Sequence, residues 1–126
     1  MPVATPSFAG DSTRECIGAF YEVYNTLRYG LLESVYAKAM ELELLEMGLH
    51  VEREAALQVH YKGHVVGLYR ADLIVGGRVV LELKTQADIG HPERRQLLHY
   101  LRITNLRVGL LLNFGPEAKV MRVVNG

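Results

Sequence analysis

The sequence lacks the features that mark secreted and membrane-spanning proteins. It contains one cysteine, Cys16, among 126 residues, so an internal disulfide framework is excluded and a reducing compartment is favoured. The longest apolar runs, such as VGLLL at 108–112, are far too short to cross a bilayer. The first ten residues, MPVATPSFAG, contain no basic segment followed by an apolar core, which predicts that no signal peptide is present. A cytoplasmic protein is therefore expected.

The chain also lacks an excess of charge of either sign. Fourteen Lys and Arg residues balance fourteen Asp and Glu residues, whereas dedicated nucleic-acid-binding proteins usually carry a basic excess. A local basic surface is still compatible with this balance, because residues 94–107 (RRQLLHYLRITNLR) contain four arginines and no acid. These arginines fit a solvated helix face and a phosphate-contacting face equally well.

The remaining composition is typical of one globular domain. Hydrophobic residues make up 49% of the chain and charged residues 22%, which are ordinary values. A chain of 126 residues is long enough for one hydrophobic core and too short for two. Residues 1–10 contain two prolines and several small residues and are predicted to form a flexible tail. The single domain is expected to occupy residues 11–126.

Hydrophobic periodicity predicts three helices. The first begins at a capping box over residues 12–15 (STRE) and ends near Gly30. The second runs from about Leu31 to Met47, and the third begins near Pro92 and ends near Asn105. The apolar stripe of the second helix is predicted to consist of Leu32, Val35, Tyr36, Ala39 and Leu42.

Strand-like periodicity predicts five strands. Residues 51–84 fit three antiparallel strands with turns at residues 62–63 (KG) and 76–77 (GG). Residues 107–115 (RVGLLLNFG) form a continuous apolar run that is typical of a strand buried on both faces of a sheet. Residues 119–124 (KVMRVV) supply the last strand. The predicted order is ααβββαββ in one mixed α/β layer.

Charged residues interrupt the most strand-like hairpin, YRADLIVGGRVVLELK at 69–84. Asp72, Glu82 and Lys84 are the unexpected residues, because charged side chains are seldom buried unless they are paired. Two neighbouring carboxylates both stay ionised only if a cation lies between them. Mg²⁺ suits such a site because it takes oxygen ligands and substrate phosphate, and a nearby lysine can stabilise an attacking hydroxide or a charged phosphoryl oxygen. The arrangement indicates metal-dependent phosphodiester cleavage.

The turn at Gly76 and Gly77 decides whether these acids meet. A two-residue turn would pair Leu81 with Asp72 and would place Glu82 on the opposite face of the sheet. We therefore predict a three-residue loop or a β-bulge, which shifts the pairing by one residue and sets Asp72 opposite Glu82. Glycine at both turn positions tolerates the backbone conformation that such a loop needs.

Five short motifs occur in order along the chain. Residues 30–36 read GLLESVY, residues 69–73 read YRADL and residues 81–84 read LELK. Gln96 and Tyr100 follow as a Q-x-x-x-Y pair, and residues 106–115 read LRVGLLLNFG. Together these motifs resemble those of the small GxxExxxY family, a branch of the PD-(D/E)xK nuclease superfamily. The resemblance extends over nearly all of residues 14–124.

The resemblance implies an α/β fold of the PD-(D/E)xK nuclease type, with a mixed central sheet flanked by helices. It implies a hydrolase that cleaves DNA with Mg²⁺ or Mn²⁺ as cofactor. The implied metal ligands are Asp72, Glu82 and the Leu83 carbonyl, and the implied catalytic residues are Lys84, Glu33, Gln96 and Tyr100. Arg94 and Arg95 are candidate substrate-binding residues. Nucleic acid, chiefly DNA, is the expected partner, and association into a homo-oligomer is a further option.

Simpler interpretations stay open for individual residues. Asp72 could pair with Arg70 or Arg78 at a sheet edge, as surface ion pairs commonly do. Glu33 could lie in the first turn of a helix only because the helix macrodipole favours acids there. The histidines do not indicate a zinc site, because His60 and His64 fall on opposite faces of a hairpin and no cysteine pair supports them.

Two other functions are compatible with the same fold. The chain could be a catalytically inactive module that binds nucleic acid or another protein. It could also be a small subunit whose helices pack on a partner, since 49% of a short chain is hydrophobic. Intact Asp72, Glu82 and Lys84 favour catalysis over both alternatives.

Overall fold

The computed structural model describes residues 12–126 and contains one five-stranded sheet with helices on both faces. The elements are α1 (Thr13–Leu27), α2 (Glu33–Glu46), β1 (Val51–Tyr61), β2 (His64–Val75), β3 (Val79–Lys84), α3 (His91–Thr104), β4 (Val108–Phe114) and β5 (Ala118–Val124). The predicted ααβββαββ order is confirmed. The tail predicted for residues 1–10 lies outside the described residues. None of the helices between residues 12 and 126 has the length and apolar character needed to cross a membrane.

The strands lie in their sequence order, β1-β2-β3-β4-β5. Only the β3–β4 pair within this sheet is parallel, and the other neighbours are antiparallel. Helix α3 makes the crossover that a parallel connection requires. It packs on one face of the sheet, while α1 and α2 pack on the other. Strand β4 is therefore buried along its whole length, as its continuous apolar sequence predicts.

A three-residue loop, 76–78, joins β2 to β3. Val75 pairs with Val79 and Leu73 pairs with Leu81, so the predicted register shift is confirmed. Gly76 and Gly77 have φ values of +61° and +68°, a region that side-chain-bearing residues rarely adopt. Continuing this register beyond the last backbone pair places Asp72 across from Glu82.

The ends of α1 differ from the prediction. Ser12 has a left-handed backbone (φ 74°) and its side chain makes no capping hydrogen bond, so the predicted capping box is wrong. The helix ends at Leu27 instead of near Gly30, and the Arg28 N–H still bonds the Tyr24 carbonyl at 2.8 Å. Arg28 then takes a positive φ of 61°, and the chain leaves the helix before Gly30.

The apolar stripe predicted for α2 is also largely wrong. The side chains that α2 buries are Tyr36, Met40 and Leu44, whereas Leu32, Val35 and Leu42 are exposed. Both sets recur at helical spacing, so periodicity alone cannot choose between them. The choice follows from packing, because the Tyr36 ring stacks on Phe114 of β4 with centroids 4.2 Å apart.

Candidate active site

The candidate site lies where β2 separates from β3. Backbone pairing between these strands ends at Leu73 and Leu81. Beyond that point the Asp72 carboxylate takes the place of a backbone acceptor, since its Oδ2 accepts a 2.7 Å hydrogen bond from the Leu83 N–H. Asp72 forms no ion pair with Arg70 in the described part of the chain. The acid is thus held against β3 by the fold and not by a surface cation.

Glu82, on β3, is held by a tyrosine that the sequence interpretation missed. The Tyr69 hydroxyl donates a hydrogen bond to Oε1 of Glu82. The Tyr69 ring stacks on Tyr100 of α3, with centroids 3.6 Å apart and planes 9° from parallel. Tyr69 therefore links β2, the Glu82 carboxylate and α3. Its position at the start of the YRADL motif was the available signal.

Three carboxyls and one lysine share a common electrostatic field at this point. Burial, together with the charge of Asp72, raises the pKa of Glu82 to about 7. Burial also raises the pKa of Asp72, and the positive charge of Lys84 opposes this increase. Partial burial raises the pKa of Glu33, the charge of Asp72 raises it further, and Lys84 again opposes the shift. One lysine does not balance three acids, so a bound cation would restore the ordinary ionisation of the carboxyls.

A small cavity of about 110 Å³ opens between β3 and α3 beside this cluster. It brings together four residues of the predicted site: Glu82, Lys84, Gln96 and Tyr100. Glu93 also lines the cavity and was not predicted. Its carboxylate accepts a 2.8 Å hydrogen bond from the Gly90 N–H at the start of α3, and this bond lowers the pKa of Glu93.

The remaining predicted residues are placed outside this cavity. Asp72 and Glu33 do not line this cavity, although the two acids interact, since the charge of Asp72 raises the pKa of Glu33. Arg94 and Arg95 are exposed on α3. Among residues 12–126, no group of three or more His, Cys, Asp or Glu side chains is gathered closely enough to hold a metal ion. Asp72 and Glu82 nevertheless supply the oxygen ligands that a hard divalent cation prefers.

The segment GLLESVY positions Glu33 through a buried tyrosine. Glu33 is the first residue of α2, and Tyr36 lies one turn later with its side chain fully buried. The Tyr36 hydroxyl donates to the Arg28 carbonyl and accepts a 3.1 Å hydrogen bond from the Leu31 N–H. These bonds fix the loop between α1 and α2, so they determine where α2 begins.

A buried asparagine holds the loop that follows Lys84. Asn113 exchanges two hydrogen bonds of 3.0 Å with the backbone of Gln86. Gly115 permits this approach, because a Cβ atom there would lie 2.3 Å from the Gln86 carbonyl oxygen. Sequence reasoning missed both residues. The signal was an amide side chain inside the otherwise apolar run of β4.

The chain matches known proteins over most of its length. A family model described as the PD-(D/E)XK nuclease superfamily matches residues 10–123. The crystal structure of SSO0001 is similar, with a TM-score of 0.53 and 24% sequence identity. That match covers 72% of this chain and 48% of SSO0001, so the chain spans about half the length of that protein. A search of curated proteins finds no match.

Proposed function

The chain belongs to the PD-(D/E)XK nuclease superfamily, and we propose that it is a metal-dependent nuclease that hydrolyses phosphodiester bonds of DNA. The observation that carries this proposal is the placement of Asp72, which bonds the Leu83 N–H beside Glu82 and within the field of Lys84. We further propose that the chain belongs to the GxxExxxY branch, which the motif at residues 30–36 (GLLESVY) and the buried Tyr36 support. The single cysteine favours a cytoplasmic location.

Asp72, Glu82 and the Leu83 carbonyl are the proposed metal ligands. The N–H and C=O groups of one strand residue point to the same side of the strand. Since the Leu83 N–H bonds Asp72, its carbonyl is expected on the Asp72 side of β3. Mg²⁺ or Mn²⁺ bound there would supply an activated water and would neutralise charge that develops on the phosphate.

Lys84 and the α3 residues are proposed to act on the substrate. The Lys84 ammonium stabilises an attacking hydroxide or a charged phosphoryl oxygen. Gln96 and Tyr100 share one helical face and line the cavity, where they contact the scissile strand or orient water. Glu33, at the start of α2, is proposed to add a third carboxylate to the field of Asp72 and Lys84.

Arg94 and Arg95 are proposed to contact backbone phosphates. Both are exposed at the start of α3, and neither forms an ion pair with another residue between 12 and 126. Exposed guanidinium groups on the helix that carries Gln96 suit phosphate oxygens, which take most protein–DNA hydrogen bonds.

A catalytically inactive module that binds nucleic acid or another protein is the second candidate. One observation favours it, namely that the carboxyls of residues 12–126 are not gathered into a group of three around one point. An inactive module would retain the fold and the arginines of α3 without cleaving.

A cleavage assay on labelled single- and double-stranded DNA and RNA, with Mg²⁺, Mn²⁺ or EDTA, tests the proposal. Wild type should cut DNA only with metal, and Asp72→Asn should not cut. The matched control is Asp88→Asn, because Asp88 is an exposed acid whose only described ion-pair partner is Lys119. Binding without cleavage under every condition would support the inactive module. Equal cleavage by wild type and Asp72→Asn would refute the assigned site.

A further inference from the structure

A tyrosine hydroxyl occupies one oxygen of the Glu82 carboxylate. Tyr69 of β2 donates a hydrogen bond to Oε1 of Glu82 on β3. The backbone of Asp72 adds a smaller stabilising hydrogen bond to the same carboxylate. A carboxylate carries about four lone-pair sites on its two oxygens, so it can accept both bonds and still bind a metal ion. The number of oxygens that it can offer to that ion is nevertheless restricted.

The Tyr69 ring holds its hydroxyl in a fixed position. Only 8% of the residue is exposed, and its ring is stacked on Tyr100 of α3. Tyr69 also belongs to the buried apolar cluster between α3 and the sheet, together with Leu97 and Leu101. Side chains in such close-packed clusters keep defined rotamers. The hydroxyl is therefore a rigid donor, and the Glu82 carboxylate that it bonds is restrained in the same way.

The two common divalent cations with oxygen ligands respond differently to such a restraint. Mg²⁺ demands octahedral geometry, keeps several waters and binds through one or two carboxylates. Ca²⁺ takes more oxygens, tolerates flexible geometry and often binds both oxygens of one carboxylate. A glutamate with one oxygen bonded to a rigid hydroxyl gives a metal ion one oxygen more readily than two. The Tyr69–Glu82 pair therefore suits Mg²⁺ better than Ca²⁺.

We propose that Tyr69 is a positioning residue that presents Glu82 to the metal ion through one oxygen, and that this restraint makes the site prefer Mg²⁺ to Ca²⁺. The inference rests on the proposed metal site at Asp72 and Glu82. It goes beyond that site because it assigns the choice of metal to a side chain that acts through Glu82 and is not itself a ligand.

Isothermal titration calorimetry of Mg²⁺ and of Ca²⁺ into metal-free protein, without nucleic acid, tests this role. Tyr69→Phe keeps the ring and its stacking on Tyr100 but removes the hydroxyl, which releases Oε1 of Glu82. Ca²⁺ affinity should rise, while Mg²⁺ affinity should stay level or fall. The ratio of the two dissociation constants should shift toward Ca²⁺ by about tenfold, the order of magnitude of one hydrogen bond to a charged group.

Tyr24→Phe is the matched control. Tyr24 is also 8% exposed, and its hydroxyl donates a 2.7 Å hydrogen bond to the Gly115 carbonyl and not to an acid. This substitution should lower stability and leave the metal preference unchanged. In either variant, a loss of folded protein would weaken both apparent affinities by the same factor. Such a loss therefore cancels from the ratio.

The outcomes separate this role from the proposed function. An unchanged ratio in Tyr69→Phe, or an equal shift in Tyr24→Phe, would overturn the role of Tyr69 and leave the proposed metal site in place. A wild type that binds Ca²⁺ as tightly as Mg²⁺ would do the same, because there would be no preference to explain. A wild type that binds neither ion would overturn the metal site itself and the inference with it.

Discussion

In the proposed mechanism, Lys84 is the side chain that distinguishes catalysis from metal binding alone. Its charge opposes the raised pKa of the neighbouring acids, so its removal should leave metal affinity intact or stronger. Its removal should also take away a positive charge directed at the reacting phosphate. One such preorganised contact typically contributes about 10²–10³-fold in rate. We predict that Lys84→Ala binds Mg²⁺ and DNA but cleaves at least about a hundredfold more slowly in single-turnover assays.

Lys84→Arg is the informative companion variant. The arginine side chain retains the positive charge but spreads it over a planar group that does not yield a proton. We therefore expect Lys84→Arg to restore little of the cleavage rate that Lys84→Ala loses. If wild type cuts and Lys84→Ala cuts as fast, then Lys84 is a structural partner of the acids and has no role in the chemistry.

The burial of Glu82 predicts a pH-dependent stability in metal-free protein. The pKa of Glu82 in the folded protein is about 7, above its ordinary value of 4.5. The folded state therefore binds this proton more tightly than the unfolded state does, and the stabilisation is complete below about pH 4.5 and lost as pH rises through about 7. The Glu82→Gln variant has no titrating group at this position. Its free energy of unfolding should therefore rise relative to that of wild type by roughly one to a few kcal/mol between pH 5 and pH 8.

Urea denaturation in EDTA at both pH values measures this gain. Glu52→Gln makes the same chemical change at an exposed position of β1 and should follow wild type. If the difference in free energy of unfolding between Glu82→Gln and wild type does not change with pH, the raised pKa of Glu82 is contradicted.

Among the secondary-structure elements, the β2–β3 loop is the one that fixes the site. Gly77 has a φ of +68°, and a side chain in the left-handed region costs about 1–2 kcal/mol. Gly77→Ala should therefore lower the free energy of unfolding by about that amount. The control is Gly67→Ala, because Gly67 has an ordinary φ and no atom within 4 Å of an added Cβ. Equal effects of the two substitutions in urea denaturation would mean that the loop conformation is not strained.

The same loop shows how far the sequence determines the fold. Alternating apolar residues predict β2 and β3, and the chemistry of two acids and a lysine requires Asp72 to face Glu82. That requirement predicts the three-residue loop, which the register confirms. Local spacing and local chemistry were sufficient here because the two strands are adjacent in sequence.

Helix α2 shows where sequence reasoning stops. Its exposed stripe and its buried stripe are both apolar and both have helical spacing, and the hydroxyl bonds and ring stacking of Tyr36 decide which one enters the core. Tyr69 and Asn113 were missed for a related reason. Their partners, Tyr100 and the Gln86 backbone, are distant in sequence, so no local pattern identifies them.

At the scale of the whole molecule, the proposed site draws on residues from both faces of the sheet. Helix α2, on one face, begins at Glu33, and α3, on the other, contributes Gln96 and Tyr100 to the cavity. Asp72 lies between them, where β2 separates from β3. A ligand bound among these residues would link the sheet to helices on both faces, so it should stabilise the fold as a unit.

Metal binding should therefore raise the melting temperature of the whole domain. A ligand that binds only the folded state at about a hundred times its dissociation constant adds about 2.7 kcal/mol, which corresponds to a shift of several degrees for a chain of this size. We predict that Mg²⁺ or Mn²⁺ produces this shift in wild type.

Asp72→Asn and Glu82→Gln should remain folded but should not respond, because each removes one of the two carboxylates proposed to hold the ion. Each substitution also removes one of two carboxylates that repel each other, so the melting temperature of the metal-free protein should stay level or rise. Asp88→Asn changes an exposed acid outside the proposed metal ligands, one that pairs with Lys119 and accepts a hydrogen bond from the Ile89 N–H, so it should respond as wild type does. Differential scanning calorimetry with and without metal measures all four proteins, and an equal response in all of them would show that the acids of β2 and β3 form no metal site.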